Sequence, residues 1–210
     1  VAAMRDPEVR SDILDNPPDL SDIPEVFVQG LINWGNMFPL GDPIDYEPPR
    51  ENSILAQAEK SGVRPEEIAF DTLLESDGKG IIYMPLLGYS DGDFEALRTM
   101  MQHPDAVFGL SDGGAHCGMI CDASIPPYLL THWARDLPRG EPLDLEWVFP
   151  QQTLDPAPLY GLPARGSIEF WKRADLNVID FATLSLGAPR MAYDLPAGGR
   201  RLLQEATGYD

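Results

Sequence analysis

The stretch from Gly80 to Cys121 constrains the fold more than any other. Gly80–Met84 is an apolar run of strand length. Asp91 or Asp93 then caps a helix carrying Phe94, Leu97, Met100 and Met101, and Ala106–Leu110 is a second apolar run. Strand, helix and strand within about thirty residues is the βαβ pattern. Continuous apolar strands, rather than alternating ones, belong to parallel sheets covered by helices, with a right-handed crossover. The expected class is α/β.

A glycine-rich loop, Ser111–Cys121, follows the second run directly. In parallel α/β folds ligands sit at the carboxyl ends of strands. Asp112, two residues past the run, therefore falls on the usual active-site face, and an Asp is both a hard metal ligand and a general base. The same residue also fits an Asx-turn closed on Gly114. His116, four residues on, is close enough in sequence to share a metal or a proton with Asp112. Cys117 and Cys121 lack the two-residue spacing of redox and zinc-knuckle motifs. Packing of two small thiols accounts for them, or a small metal site with His116 and Asp122. His132 reads as a partly buried, hydrogen-bonded histidine, and His103 as a contact at a helix end. Asp91-Gly92-Asp93 is explained by helix capping, and neither a phosphate loop nor a dinucleotide fingerprint is present.

Around this unit the chain is organised simply. Proline–acid connectors occupy residues 15–25 and 42–50, with a short strand expected over Glu25–Ile32 and a loop or strand over Trp34–Leu40. Asn52 or Ser53 opens a helix that ends at Gly62, with Ile54, Leu55 and Ala58 on its apolar stripe. Pro65 opens the next, with Glu66 and Glu67 against the helix dipole and Ile68, Leu73 and Leu74 on one face, ending near Ser76. Helices are expected over Ser124–Asp136 and Asp144–Gln152, then a strand over Asp175–Asp180 and turns at Gly187, Pro189, Pro196 and Gly198-Gly199. This places a domain boundary near residue 165.

Charge excludes several partners. The chain has 34 acidic and 15 basic side chains and a net charge of −19. It repels nucleic acid and acidic membrane surfaces unless a basic stripe overrides it, and Lys172-Arg173 and Arg200-Arg201 are isolated pairs. The longest apolar stretch, Ile81–Leu87, is far shorter than the ~20 residues of a membrane span. With two cysteines and no leader-like start, a reducing cytoplasm is the expected compartment. Val1 opens within a helix-like segment and Gly208-Tyr209-Asp210 closes no element, so both ends read like cuts inside a longer protein.

Several longer runs of residues resemble one family. Val107–His116, Cys121–Ser124 and Tyr128–Asp136 are similar to the D-aminoacylase branch of the amidohydrolase superfamily. So are Leu159–Leu162 with Arg165-Gly166, and Arg173–Asp180. Leu40–Asp42, Pro65–Glu67, Tyr83–Leu86 and Tyr89–Gly92 fit the same pattern, and the resemblance runs from about residue 37 to 209. It implies a metal-dependent (β/α)8 barrel running into a small β-sandwich, with residues 1–165 as the last barrel strands and helices and 166–210 as the return segment. It implies zinc and hydrolysis of the amide of N-acyl-D-amino acids, giving a carboxylate and the free D-amino acid. Asp112 maps onto the family's metal neighbour and general base, which takes a proton from a zinc-activated water and passes it to the leaving nitrogen. Ser111, Gly113, Gly114, His116, Tyr89 and Ser90 fall where the substrate is held.

The chain has three histidines and no His-x-His pair, so it cannot assemble a binuclear metal centre from its own residues. The reading is therefore the C-terminal portion of a longer enzyme, inactive alone and prone to form homo-oligomers or aggregates through uncovered apolar edges. Two other readings use the same residues. One is a different amide or cyclic-amide hydrolase of the superfamily, with identical Asp112 chemistry. The other is a non-catalytic binding or assembly module in which Asp112 only shapes a turn.

Overall fold

Local capping chemistry sets where the described α-helices of the first half of the chain begin. The computed structural model describes residues 1–24, 32–110 and 116–209. They form two compact units, Val1–Met100 and Met101–Asp210.

In the first unit, helix α1 (Pro7–Asp15) starts at Asp6, whose carboxylate accepts from the Glu8 N–H at 2.9 Å, with Pro7 in its first turn. The helix buries no residue. It is held to its neighbours by charge: Arg10 bridges to Glu67 and Asp71, and Arg64 to Asp15. Helix α2 (Ile54–Ser61) starts at Ser53, whose hydroxyl accepts from the Ala56 N–H at 3.2 Å. It ends at Gly62 with φ 69°, the left-handed conformation that favours glycine. Ile54 and Ala58 are buried as the spacing predicts, but Leu55 is exposed. Helix α3 (Pro65–Gly78) begins with Glu67 reaching back to the Arg64 N–H at 3.1 Å, and its helical dihedrals break off at Glu75. Its inward residues are Ala69, Phe70 and Thr72 rather than the expected stripe, and Leu73 is exposed. The Phe70 ring is taken inside, with the Arg10 guanidinium 5.6 Å from its centroid; this turns the helix away from the periodicity of its aliphatic residues.

Two short strands follow. β1 (Phe38–Pro39) pairs antiparallel with β2 (Ile82–Tyr83). Gly80, just before β2, packs so closely on α3 that a Cβ there would stand 1.7 Å from the Thr72 carbonyl oxygen. Phe38 and Phe94 both pack edge-on to Tyr89, at centroid distances of 6.3 and 4.8 Å. Helix α4 (Glu95–Met101) is capped by Asp93, which accepts from the Glu95 N–H at 3.0 Å.

Early in the second unit the stretch 106–110 has no regular secondary structure, and its Phe108 ring packs edge-on to Trp147 at 5.8 Å. A helical run follows as expected, in three forms: a 3-10 turn (Asp122–Ser124), α5 (Ile125–Tyr128), and a π-helix (Leu129–Asp136) that buries Leu129 through Trp133. The Thr131 hydroxyl donates to the Pro127 carbonyl at 2.9 Å, competing with backbone N–H groups for that acceptor. The π-helix ends in a clamp, where Arg135 donates to the carbonyls of Phe181 and Leu184. Helices α6 (Leu145–Gln152) and α7 (Pro156–Leu159) complete the helical part. Leu130, Trp133, Leu143, Val148 and Leu184 form its core. The C-terminal residues make two antiparallel ladders. β3 (Ser185–Leu186) pairs with β6 (Ala206–Thr207), and β4 (Arg190–Leu195) with β5 (Gly199–Leu203) across the Pro196–Gly198 turn.

The structure departs from the expected fold in three places. The two apolar runs do not form a parallel pair: β2 is antiparallel to β1, and 106–110 joins no ladder among the described residues. A parallel ladder needs a neighbour of matching chain direction, and the segment that meets Ile82–Tyr83 is Phe38–Pro39 running the other way. The expected strand Asp175–Asp180 contracts to one isolated bridge, Ile179 to Tyr209. The described strands make three two-stranded ladders, mixed with helices, and a closed barrel or sandwich is not among them. The expected strand at Glu25–Ile32 lies outside the described residues apart from Ile32.

Candidate active site

The loop that carries the candidate chemistry starts from the base set by Phe108 against Trp147 and returns into the helical run at Asp122. Ser111, Asp112, Gly113 and Gly114 lie outside the described residues. His116, where the described chain resumes, is exposed and has φ 52°. The His116 carbonyl accepts from the N–H groups of Met119 and Ile120, at 2.8 and 3.0 Å, closing a tight turn over Cys117 and Gly118.

That turn is pinned to the C-terminal hairpin. The Leu202 N–H donates to the Cys117 carbonyl at 2.7 Å, and the Ser124 hydroxyl donates to the Cys121 carbonyl at 3.0 Å and meets Gln204 Oε1 at 2.7 Å. Both cysteines are free thiols and half-buried. Burial pushes the Cys121 thiol above its ordinary range, and the Asp122 carboxylate adds to the effect. Arg200, Arg201 and Gln204 give no signal in the sequence, because about eighty residues separate them from the loop and only the hairpin brings them to it.

The remaining candidate residues lie on other segments, each described within its own unit. His132 is buried in the π-helix, stacked on Tyr128 at 4.7 Å and edge-on to Trp133 at 5.6 Å. His103 is exposed, and its Nδ1 accepts from the Asp105 N–H at 3.2 Å. Tyr89 belongs to the core of the first unit, where its hydroxyl donates to the Pro48 carbonyl at 2.9 Å. Ser90 is exposed, and its carbonyl accepts from Arg50. Among the described residues no three His, Cys, Asp or Glu side chains stand close enough to hold a metal ion. The described donors therefore do not fit a zinc centre by themselves. No helix among the described residues is long and apolar enough to cross a membrane.

Comparison with known proteins identifies the chain's class. Residues 58–201 match the model of the amidohydrolase family, and the chain belongs to that family. The match covers more than half of the chain, from inside α2 to the Arg200-Arg201 pair, and takes in the whole loop from Ser111 to Cys121. Neither the curated proteins nor the solved structures contain a match.

Proposed function

We propose that this chain is the C-terminal portion of a zinc-dependent amidohydrolase that cleaves the amide bond of N-acyl-D-amino acids. The family match across the Asp112 loop carries this reading, and the D-aminoacylase-like runs Val107–His116 and Tyr128–Asp136 narrow it to a substrate. Asp112 is the metal neighbour in this chain, and the histidine ligands would come from residues outside this sequence, since its three histidines include no His-x-His pair.

Asp112 handles the protons. Its carboxylate accepts a proton from the water that attacks the amide carbonyl carbon. The resulting carboxylic acid then donates that proton to the departing nitrogen as the C–N bond breaks. One water is consumed, and one carboxylate and one amine are released. Gly113 and Gly114, having no side chains, would let a substrate approach the backbone next to Asp112 in sequence.

The test is a panel of N-acyl-D-amino acids and cyclic ureides assayed on the chain extended through its upstream coding sequence. Deacylation of the N-acyl-D-amino acids is expected, with a fall of about 10²–10⁴-fold in kcat for Asp112→Ala. Turnover of cyclic ureides alone moves the reading to another hydrolase of the family. Unchanged activity in Asp112→Ala overturns the assigned role and favours a module in which Asp112 shapes a turn.

A further inference from the structure

A turn in the second unit holds its apolar residues out in solvent. Among the described residues, three of the four most exposed large apolar ones fall within four positions: Ile168 at 89%, Phe170 at 94% and Trp171 at 100% exposure. The turn is fixed at its base. Gly166 sits so close to the residues just past α6 that a Cβ there would stand 2.6 Å from the Thr153 carbonyl oxygen. The Arg173 N–H donates to the Ala164 carbonyl at 2.9 Å, and Arg165 and Arg173 both bridge to Asp175. At the tip, the Lys172 N–H donates to the Glu169 carbonyl at 3.2 Å, and the two side chains pair at 3.4 Å. Trp171 takes the third position of this tip turn with φ 71°. That backbone conformation favours glycine, and a bulky residue in it is strained. At full exposure the indole gains no burial within this chain to offset the strain.

We infer that Ile168, Phe170 and Trp171 are the centre of a two-fold symmetric contact with a second copy of this chain. The three side chains offer roughly 600 Å² of apolar surface, most of the roughly 800 Å² that each partner gives to a standard interface. Charge favours a like partner here. Residues 165–175 carry three basic and two acidic side chains, a net +1, in a chain of net −19. Two copies can approach through this stretch without the repulsion that opposes contact between their acidic surfaces. Around the apolar centre stand Glu169 and Asp175 with Arg165 and Arg173, all partly exposed. Both signs on one patch are what a self-complementary surface requires, because each copy's guanidinium groups then meet the other's carboxylates. A tryptophan on a pinned turn also suits the role of anchor, since little freedom is lost on docking. The contact lies within Met101–Asp210 and does not depend on the proposed hydrolysis.

Sedimentation equilibrium across the micromolar range, paired with acrylamide quenching of tryptophan emission, tests this. A monomer–dimer equilibrium is expected, with the emission of Trp171 (wild type minus Trp171→Gly) becoming shielded as the dimer forms. Trp171→Gly keeps the turn, because glycine adopts that φ freely, and should weaken dimerisation by at least about thirtyfold with an unchanged circular dichroism spectrum. Ile168→Ser leaves the strained position alone and should weaken it by about tenfold. A chain that stays monomeric, or that grows into open-ended assemblies, overturns the proposal. So does a dimer that neither substitution weakens. The same measurements on the chain extended through its upstream coding sequence separate a second copy from the chain's own remainder: a monomer in which Trp171 is shielded overturns the proposal in favour of the latter. Co-sedimentation of the monomer with phosphatidylcholine vesicles, in place of dimerisation, assigns the turn to a lipid surface and overturns it as well.

Discussion

Tyr83 shows how one side chain ties the fold to pH. Its ring packs edge-on to Tyr46 at 5.6 Å, and its hydroxyl donates to the Tyr46 carbonyl at 3.3 Å. Burial, with smaller contributions from the neighbouring tyrosines, Glu47 and Asp45, pushes its phenol well above the ordinary value of 10.0. The folded chain therefore holds this proton more tightly than the unfolded chain. Stability from Tyr83 is complete below pH 10 and is lost as pH rises from there toward the folded value. A loss approaching about 1.4 kcal/mol per pH unit is expected in that window. Urea unfolding at pH 8, 9, 10 and 11 checks it, and Tyr83→Phe should flatten the upper part of the profile. A midpoint that holds steady from pH 9 to 11 in the wild-type chain would contradict the assignment. At this scale the sequence is readable only in part. Ser53 and Gly62 are visible as helix ends because their chemistry acts on residues next door. Tyr89 reads as part of a substrate segment, yet its ring is central to the core, a fact set by Phe38 and Phe94 from distant positions.

Among the elements, α2 offers the cleanest measurement. Its start rests on the Ser53 hydroxyl, and Ser53 itself is buried. Ser53→Ala removes the acceptor for the Ala56 N–H and should cost about 1 kcal/mol, read as a lower denaturant midpoint with an unchanged slope. Ser53→Asp keeps an acceptor and should retain most of that stability. The contrast between the helices and the strands shows what a sequence can specify. Helices α2 and α3 begin where the caps predict, and the runs at Asp122 and Leu145 begin within a residue or two, because each start depends on three or four adjacent residues. Strand pairing depends on segments far apart. Ile82–Tyr83 is legible as a strand, but its partner Phe38–Pro39 and their antiparallel direction are not. Val107–Leu110 joins no ladder among the described residues, and Val107 and Leu110 are exposed, so an apolar run alone specifies neither pairing nor burial. The pinning of Cys117 to Leu202 belongs to the same class of non-local fact.

Over the whole chain, the surplus of negative charge sets the expected response of stability to salt. Even if each of the 15 basic side chains neutralises one acidic side chain, nineteen carboxylates are left over. Folding brings them closer together than they stand in the expanded unfolded chain, so their repulsion opposes the native state. Added salt weakens this repulsion and also weakens the attractive pairs, and the two effects have opposite signs. The pairs are mostly exposed, such as Arg5–Asp77, Arg64–Asp15 and Arg173–Asp175. Pairs of this kind contribute about 0–1 kcal/mol each. Two charges 10 Å apart repel by roughly 0.4 kcal/mol in water, and nineteen surplus carboxylates share one chain. Repulsion should therefore prevail. Raising sodium chloride from 0.01 to 0.15 M shortens the screening length from about 30 to about 8 Å. The thermal midpoint should rise by about 2–4 °C, corresponding to about 1 kcal/mol for a chain of this size. Sodium chloride suits the measurement better than a sulfate salt, because sulfate also strengthens apolar burial through its exclusion from the protein surface. A midpoint that falls over this range would mean that the exposed pairs, including the Arg201–Asp194 contact beside Cys117, stabilise the fold more than the surplus charge destabilises it.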